Sequence, residues 1–385
     1  MTDITPQREW IDRLVAFDTT SSKSNLSLIE DVEAYLHGFS VDTFRVYDDE
    51  GTKANLYALV GPKVEGGVVL SGHTDVVPVE GQNWSTDPFQ VTEKDGKLYG
   101  RGVADMKSFS AIALSLVPDM LAARMKRPVI FALSYDEEIG LLGAPRMIAE
   151  IAERMPKPSS VIVGEPTNMK VIDGHKGIAS FTVRVTGYTT HSSQTDRGVS
   201  AVEAAAKLIT KISGMRERRE AAADPSSPFD PPYSTMTVNV VRGGTQLNIM
   251  AGEAMFQWDM RVVPGDSRKD IIAEFTDYAR GIEAEMRAKA PGCRIEIEQI
   301  SNAPSLAPHA DNPAADLAKA ITGLNSTDVV SYAAEAGQFQ EAGFSVVICG
   351  PGSIDQAHQP DEFITLDQVK EGTMFIRRLI ERLSA

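Results

Sequence analysis

Apolar and polar positions along the chain fall into two regimes. Up to about residue 176, short apolar runs alternate with segments of helical spacing. Helices are expected at Pro6–Phe17 and Leu26–Leu36, and strands at Asp42–Val46, Ala54–Leu59 and through Val68 into His73. A helix follows Asp105 to about Ala123. Arg127–Tyr135 reads as a buried strand, a helix spans about Leu141–Ala152, and Ser159–Val163 is a further strand. Strands alternating with helices imply crossover connections and a mostly parallel sheet, an α/β architecture.

Beyond Lys176-Gly177 the pattern changes. Ser180–Thr186 alternates as a half-exposed strand, and Val199–Ile212 has helical spacing. A charged, proline-containing connection is expected at Met215–Pro232, followed by strands at Thr235–Val241 and Glu253–Val263, a helix at Arg268–Ala288 and a strand at Arg294–Ile300. The order βαββαβ is that of a ferredoxin-like module. Helix, strand and helix then resume at Pro313–Ile321, Ser345–Cys349 and Leu366–Leu383, so the module is an insertion. We expect one domain from residues 1–178 and 302–385 and a second from 179–301. A chain of 385 residues fits two domains.

Composition narrows the class. With 42% hydrophobic and 24% charged residues the chain reads as globular, and a net charge of −15 argues against nucleic acid or anionic membrane as partner. It contains neither an apolar run of about 18 residues nor a signal-like start, so a cytoplasmic location is expected. Cys293 and Cys349 are too few for a disulfide framework and are expected to be reduced and buried.

The candidate chemistry sits where strands end. The run into Gly72-His73-Thr74-Asp75 places an imidazole and a carboxylate two residues apart on extended backbone, pointing the same way. His73 reads as a metal ligand, with Asp75 orienting its ring. About thirty residues on, the glycine-rich turn Gly100–Asp105 delivers another acid. Asp136-Glu137-Glu138 ends the strand Arg127–Tyr135, Glu165 ends Ser159–Val163, and a loop after Cys349 leads to His358. A lone His-x-Asp is also a common surface pair, and acids gather at helix N-termini. Several acids at one sheet edge, however, repel one another unless positive charge sits among them, and a metal pair supplies it. Imidazole and carboxylate ligands suit Zn²⁺, with Co²⁺ or Mn²⁺ also compatible.

The segments SGHTDVVP, GRGVADMK, YDEEIG, GEPT, HSS and the histidine after GPGS occur in an order similar to that of the metal-dependent amidohydrolases. That family includes acetylornithine deacetylase, succinyl-diaminopimelate desuccinylase, aminoacylase and the glutamate carboxypeptidases. The resemblance covers essentially the whole chain. It implies a zinc-aminopeptidase-like catalytic domain with an inserted lid or dimerisation domain, two divalent metal ions, a homodimer, and hydrolysis of an N-acyl amino acid.

Carried residue by residue, the resemblance makes His73, Asp105, Glu138, Glu165 and His358 the metal ligands, with Asp105 shared, and Glu137 the general base. It gives His191 to the oxyanion and Asn248 and Arg261 to the substrate carboxylate. It also implies a cis Asp105-Met106 peptide. His175, at the hinge, is either structural or a substrate contact.

Ala334–Gln340 and Cys349–Phe363 look like the acetylornithine-deacetylase branch, with Ala334 where that branch often has threonine. Glu335 is a candidate for reading a cationic substrate amine; the alternative is an acid at a helix start. A desuccinylase, a broader deacylase and a catalytically silent metal-binding relative are the competing readings.

Overall fold

A computed structural model describes residues 4–385. The chain forms two compact units. One comprises residues up to Gly174 with Pro308–Val329 and Ala334–Ala385; the other is His175–Ala307 with Val330–Ala333. The expected insertion 179–301 falls inside the second unit, which also takes in a few flanking residues on either side.

The first unit is built on an eight-stranded sheet in the order Thr43–Tyr47, Ala54–Val60, Val129–Ser134, Val68–His73, Ser160–Pro166, Val346–Gly350, Ile172–His175, Asp328–Val330. The four strands from Val129–Ser134 to Val346–Gly350 are parallel neighbours, and antiparallel pairs flank them. Every residue of Val68–His73, Val129–Ser134 and Ser160–Pro166 is buried. That is why these segments are apolar without alternation: helices cover both faces of such a sheet. Parallel strands end on one side, so His73, the acids after Ser134 and Glu165 gather at a common edge.

Several helix boundaries have local causes. Leu366–Ser384 opens with a capping box in which Thr365 and Gln368 exchange side-chain-to-backbone bonds of 3.1 and 2.9 Å. The single helix expected from Asp105 to Ala123 is two, Lys107–Ser115 and Val117–Ala122. Pro118 cannot continue a helix interior but fits a first turn, so the break falls just before it. A small sheet escaped the sequence reading. Thr92–Lys94 and Lys97–Tyr99 form a hairpin over Asp95-Gly96, both at positive φ, and Phe363–Thr365 pairs with its second strand. Asp-Gly is a strong hairpin signal, but three-residue strands carry no readable periodicity.

The second unit has a four-stranded antiparallel sheet in the order Thr235–Gly243, Glu253–Val262, Gly177–Thr186, Arg294–Ala303, with helices Ala201–Ala221 and Arg268–Lys289. This is the ferredoxin-like order. Trp258 stacks on Phe181 at 4.6 Å and tilts against Phe275 at 4.8 Å, forming the centre of its core. The first helix runs to Ala221, well into the expected connection. Arg216–Glu220 are good helix formers, and Lys211 and Arg218 of this helix pair with Glu274 of the other. Cys293 and Cys349 are both buried and free. Among the described residues no helix is long and apolar enough to cross a membrane.

Candidate metal centre

His73 is the last residue of its strand and 1% exposed. Its Nδ1 lies 2.8 Å from the backbone carbonyl of Asp75 and 3.6 Å from that residue's carboxylate. The carbonyl, not the carboxylate, is therefore the nearer partner fixing the ring. Asp75 instead accepts the backbone N–H groups of Glu137 and Glu138 at 3.1 and 3.2 Å and the hydroxyl of Ser21 at 2.7 Å. Burial works to raise the Asp75 carboxyl, but His73 first, then Ser21 and the Glu137 amide, override it and hold the group below the usual range. Ser21 gave no signal in the sequence, because it reaches Asp75 across 54 residues.

The other ring nitrogen of His73 faces the cluster, with Nε2 3.0 Å from Asp105 Oδ1 and 4.0 Å from Glu165 Oε1. The second oxygen of Asp105 lies 3.3 Å from His358 Nε2, which is 2.9 Å from Glu138 Oε2. Two triads result, His73–Asp105–Glu165 and Asp105–Glu138–His358, each with one ligand atom per residue within 4.8 Å of the others. Asp105 belongs to both. The Asp105-Met106 peptide is cis, and the helix Lys107–Ser115 begins directly after it. His358 and Asp136 both adopt positive φ, and Asp136 pairs with Lys53 at 2.5 Å, leaving the next two acids for the cluster.

The electrostatics are those of an anionic pocket short of cations. Burial raises the Glu165 carboxyl well above its ordinary range, and Asp105 and Glu137 push it further. Burial does the same to Glu137, with Glu138 and Asp105 adding to it against the pull of His73. Glu138 is raised as well, by burial and then by Asp105. The His358 imidazole, bonded to Asp105 and Glu138, is pushed up to about 10. Burial works against the charge on His73, but Asp105 and Asp75 override it and hold the ring well above the ordinary histidine range. Glu165 Oε1 is buried with no hydrogen-bond partner, an exposed cost unless a cation takes it. This donor set of imidazoles and carboxylates, with an orphaned oxygen turned inward, fits divalent metal ions.

The remaining candidates are placed differently. Glu335 is 1% exposed, at the N-terminus of the helix Ala336–Glu341. Its carboxylate accepts the hydroxyls of Ser134 and, at 3.2 Å, Ser71, so it braces two strand ends and offers no open charge. His191, Asn248 and Arg261 belong to the second unit. His191 is exposed and its Nδ1 lies 2.8 Å from Ser193 Oγ; the carbonyl of Asn248 accepts the Ser192 amide at 3.0 Å. Arg261 is partly exposed near the end of its strand, 3.5 Å from Asp259. His175 is fully buried, with Nδ1 2.9 Å from the Lys176 carbonyl.

The family model described as peptidase family M20/M25/M40 matches residues 69–382, a span containing all five cluster residues. Acetylornithine deacetylase of Proteus mirabilis (strain HI4320) is 34% identical over 369 residues, 95% of this chain and 92% of that protein. An M20 family metallo-carboxypeptidase from Sulfolobus solfataricus superposes with a TM-score of 0.77 at 17% identity, covering 100% of both chains. A dinuclear metal-binding peptidase of the M20 family from Bacillus subtilis gives 0.65 at 13% identity, covering 98% of each. Sequence, fold and donor set thus agree, and this chain is a metal-dependent hydrolase belonging to peptidase family M20/M25/M40.

Proposed function

We propose that this protein is a two-metal amidohydrolase that releases the acyl group of an N-acyl amino acid, with N-acetyl-L-ornithine as substrate and L-ornithine and acetate as products. The observation that carries the hydrolytic reading is the pair of triads sharing Asp105. The choice of substrate is supported by the 34% identity to acetylornithine deacetylase across 95% of the chain. In this reading His73, Asp105 and Glu165 hold one ion, and Asp105, Glu138 and His358 the other. Zinc suits these ligands best, and cobalt can replace it. Such an ion pair supplies Lewis acidity, polarising the scissile carbonyl and acidifying water.

Glu137 is the acid beside the cluster that neither triad uses. Its raised proton affinity suits a group that takes a proton from the attacking water and passes it to the amine as the C–N bond breaks. The water oxygen ends on the acyl carbon, giving a carboxylic acid and a free amine. Asp75 holds the backbone of Glu137 and Glu138 in place throughout.

For the second unit we extend the reading by resemblance alone. His191 stabilises the developing oxyanion, Asn248 and Arg261 bind the substrate carboxylate, and the unit serves as lid and as the surface joining two copies.

The test is a hydrolysis screen with metal-reconstituted protein on N-acetyl-L-ornithine, N-succinyl-diaminopimelate and N-acetyl-methionine. Fastest kcat/KM on the first is expected. Preference for the second or third would overturn the substrate but keep the reaction class; no hydrolysis of any amide would overturn both.

A further inference from the structure

Glu362 is a buried acid, 1% exposed, four positions beyond His358. It directly precedes the strand Phe363–Thr365, whose pairing with Lys97–Tyr99 sets Phe363 opposite Tyr99. That register places Glu362 beside the turn carrying Asp105, and its carbonyl accepts the Gly100 amide at 3.0 Å. The carboxylate receives four further donors. Arg101 Nη1 at 2.6 Å and the Gly102 amide at 3.1 Å reach one oxygen, while the amides of Ala104 and Asp105 reach the other at 2.8 and 3.1 Å.

The contacts continue to the backbone at His358. Arg101, also 1% exposed, lies over the ring of Trp84 at 5.1 Å and donates through Nη2 to Gln82 at 2.6 Å. Gln82 also accepts from the Trp84 indole at 3.1 Å and donates to the backbone carbonyl of His358 at 2.9 Å. An unbroken path therefore joins the Asp105 amide, Glu362, Arg101, Gln82 and the His358 carbonyl. A fully buried ion pair is poor value as plain stabilisation, since desolvating both charges offsets most of their attraction. Three turn amides converging on one carboxylate instead specify a backbone shape.

We propose that Glu362 is the positioning residue of the metal centre: it fixes the Gly102–Asp105 turn so that Asp105 faces both triads, and Arg101 and Gln82 carry the same constraint to His358. This rests on Asp105 being the shared ligand. Outer residues that orient ligands typically change metal affinity about 10- to 100-fold when replaced.

The experiment titrates chelator-stripped protein with Co²⁺, following heat and the visible absorption of the bound ion, for wild type, Glu362→Gln, Gln82→Ala and Asp105→Asn. Glu362→Gln is expected to weaken both binding steps by about 10- to 100-fold and to alter the Co²⁺ spectrum. Gln82→Ala, at a partly exposed position, is expected to weaken one step only, that of the Glu138–His358 side. Wild-type affinities and spectrum in both variants, with paired binding lost in Asp105→Asn, would overturn the role of Glu362 and leave the shared ligand standing. Two ions bound normally by Asp105→Asn would instead remove the reading beneath it. Should Glu362→Gln not fold, Gln82→Ala decides by the same criterion.

Discussion

The carboxylate of Asp75 accepts the backbone amide of Glu137 at 3.1 Å, tying the end of one strand to the turn after its parallel neighbour. The residue two positions beyond a cluster histidine thereby sets the position of the acid next to the cluster. Asp75→Asn retains one acceptor oxygen but cannot serve Ser21 and two amides as a charged carboxylate does. We expect metal affinity, read by chelator competition, to fall about 10- to 100-fold, with a smaller loss of kcat at saturating metal.

Glu137→Gln tests the proton-transfer role separately. Neither triad includes this side chain, so both ions should remain, verified by elemental analysis of the purified variant. Turnover is expected to drop about 10²- to 10⁴-fold, the range attributable to a positioned general acid–base group. Near-normal turnover with full metal content would take Glu137 out of the mechanism.

Stability of chelator-stripped protein should depend on pH in a direction fixed by the cluster. Glu165, Glu137 and Glu138 have proton affinities above their ordinary value of 4.5, and His358 is raised from 6.5 to about 10. In each case the folded form binds more protons than the unfolded one, so the contribution is complete below the unfolded pKa and disappears as pH rises through the folded value. Asp105 and Asp75 are lowered and act oppositely, losing their contribution on acidification below about 3.8. The cluster's share of the urea midpoint of stripped protein should therefore decline from about pH 5 toward pH 10, against an opposite contribution from Lys107, whose amine burial lowers to about 7. Added Zn²⁺ should flatten that decline, because cations replace the protons. An unchanged slope with and without zinc would contradict the electrostatic account.

Glu335→Gln separates bracing from substrate reading. The enclosed carboxylate accepts hydroxyls of Ser71 and Ser134, and an amide in its place offers one acceptor and an unneeded donor. A stability loss of about 1–3 kcal/mol is expected by denaturant titration. The ratio of kcat/KM for N-acetyl-L-ornithine over N-acetyl-methionine should stay constant. A collapse of that ratio would return Glu335 to contact with the substrate amine.

Much of this was legible in the chain because strand periodicity and strand ends are local properties. The apolar runs into His73, Asp136 and Glu165 announce a parallel sheet, and the residues stopping each run are those that gather at its edge. What stayed hidden depends on partners far away in sequence. Asp75 alternates correctly with His73, yet its carboxylate is claimed by amides about sixty positions on, which no i, i+2 argument reveals. Glu362 carries no local signal, since its donors lie more than 250 residues earlier. Glu335 stays open in the sequence between a substrate contact and an acid at a helix start, because the chain does not show that two serines from adjoining strands enclose it. The early stop assigned to the helix Ala201–Ala221 had another origin: charged residues along a helix face resemble a solvated connection when the partnering helix is unknown.

The two imidazoles of the cluster differ in their access to solvent. The His73 side chain is 1% exposed, whereas that of His358 is 50% exposed. If ions occupy the cluster, traffic with bulk solution would be lopsided: a competing chelator would meet the His358 edge first, and an ion beside it would leave without passing the inner residues. Depletion should proceed in sequence, through a half-loaded species whose remaining ion sits on the His73 flank.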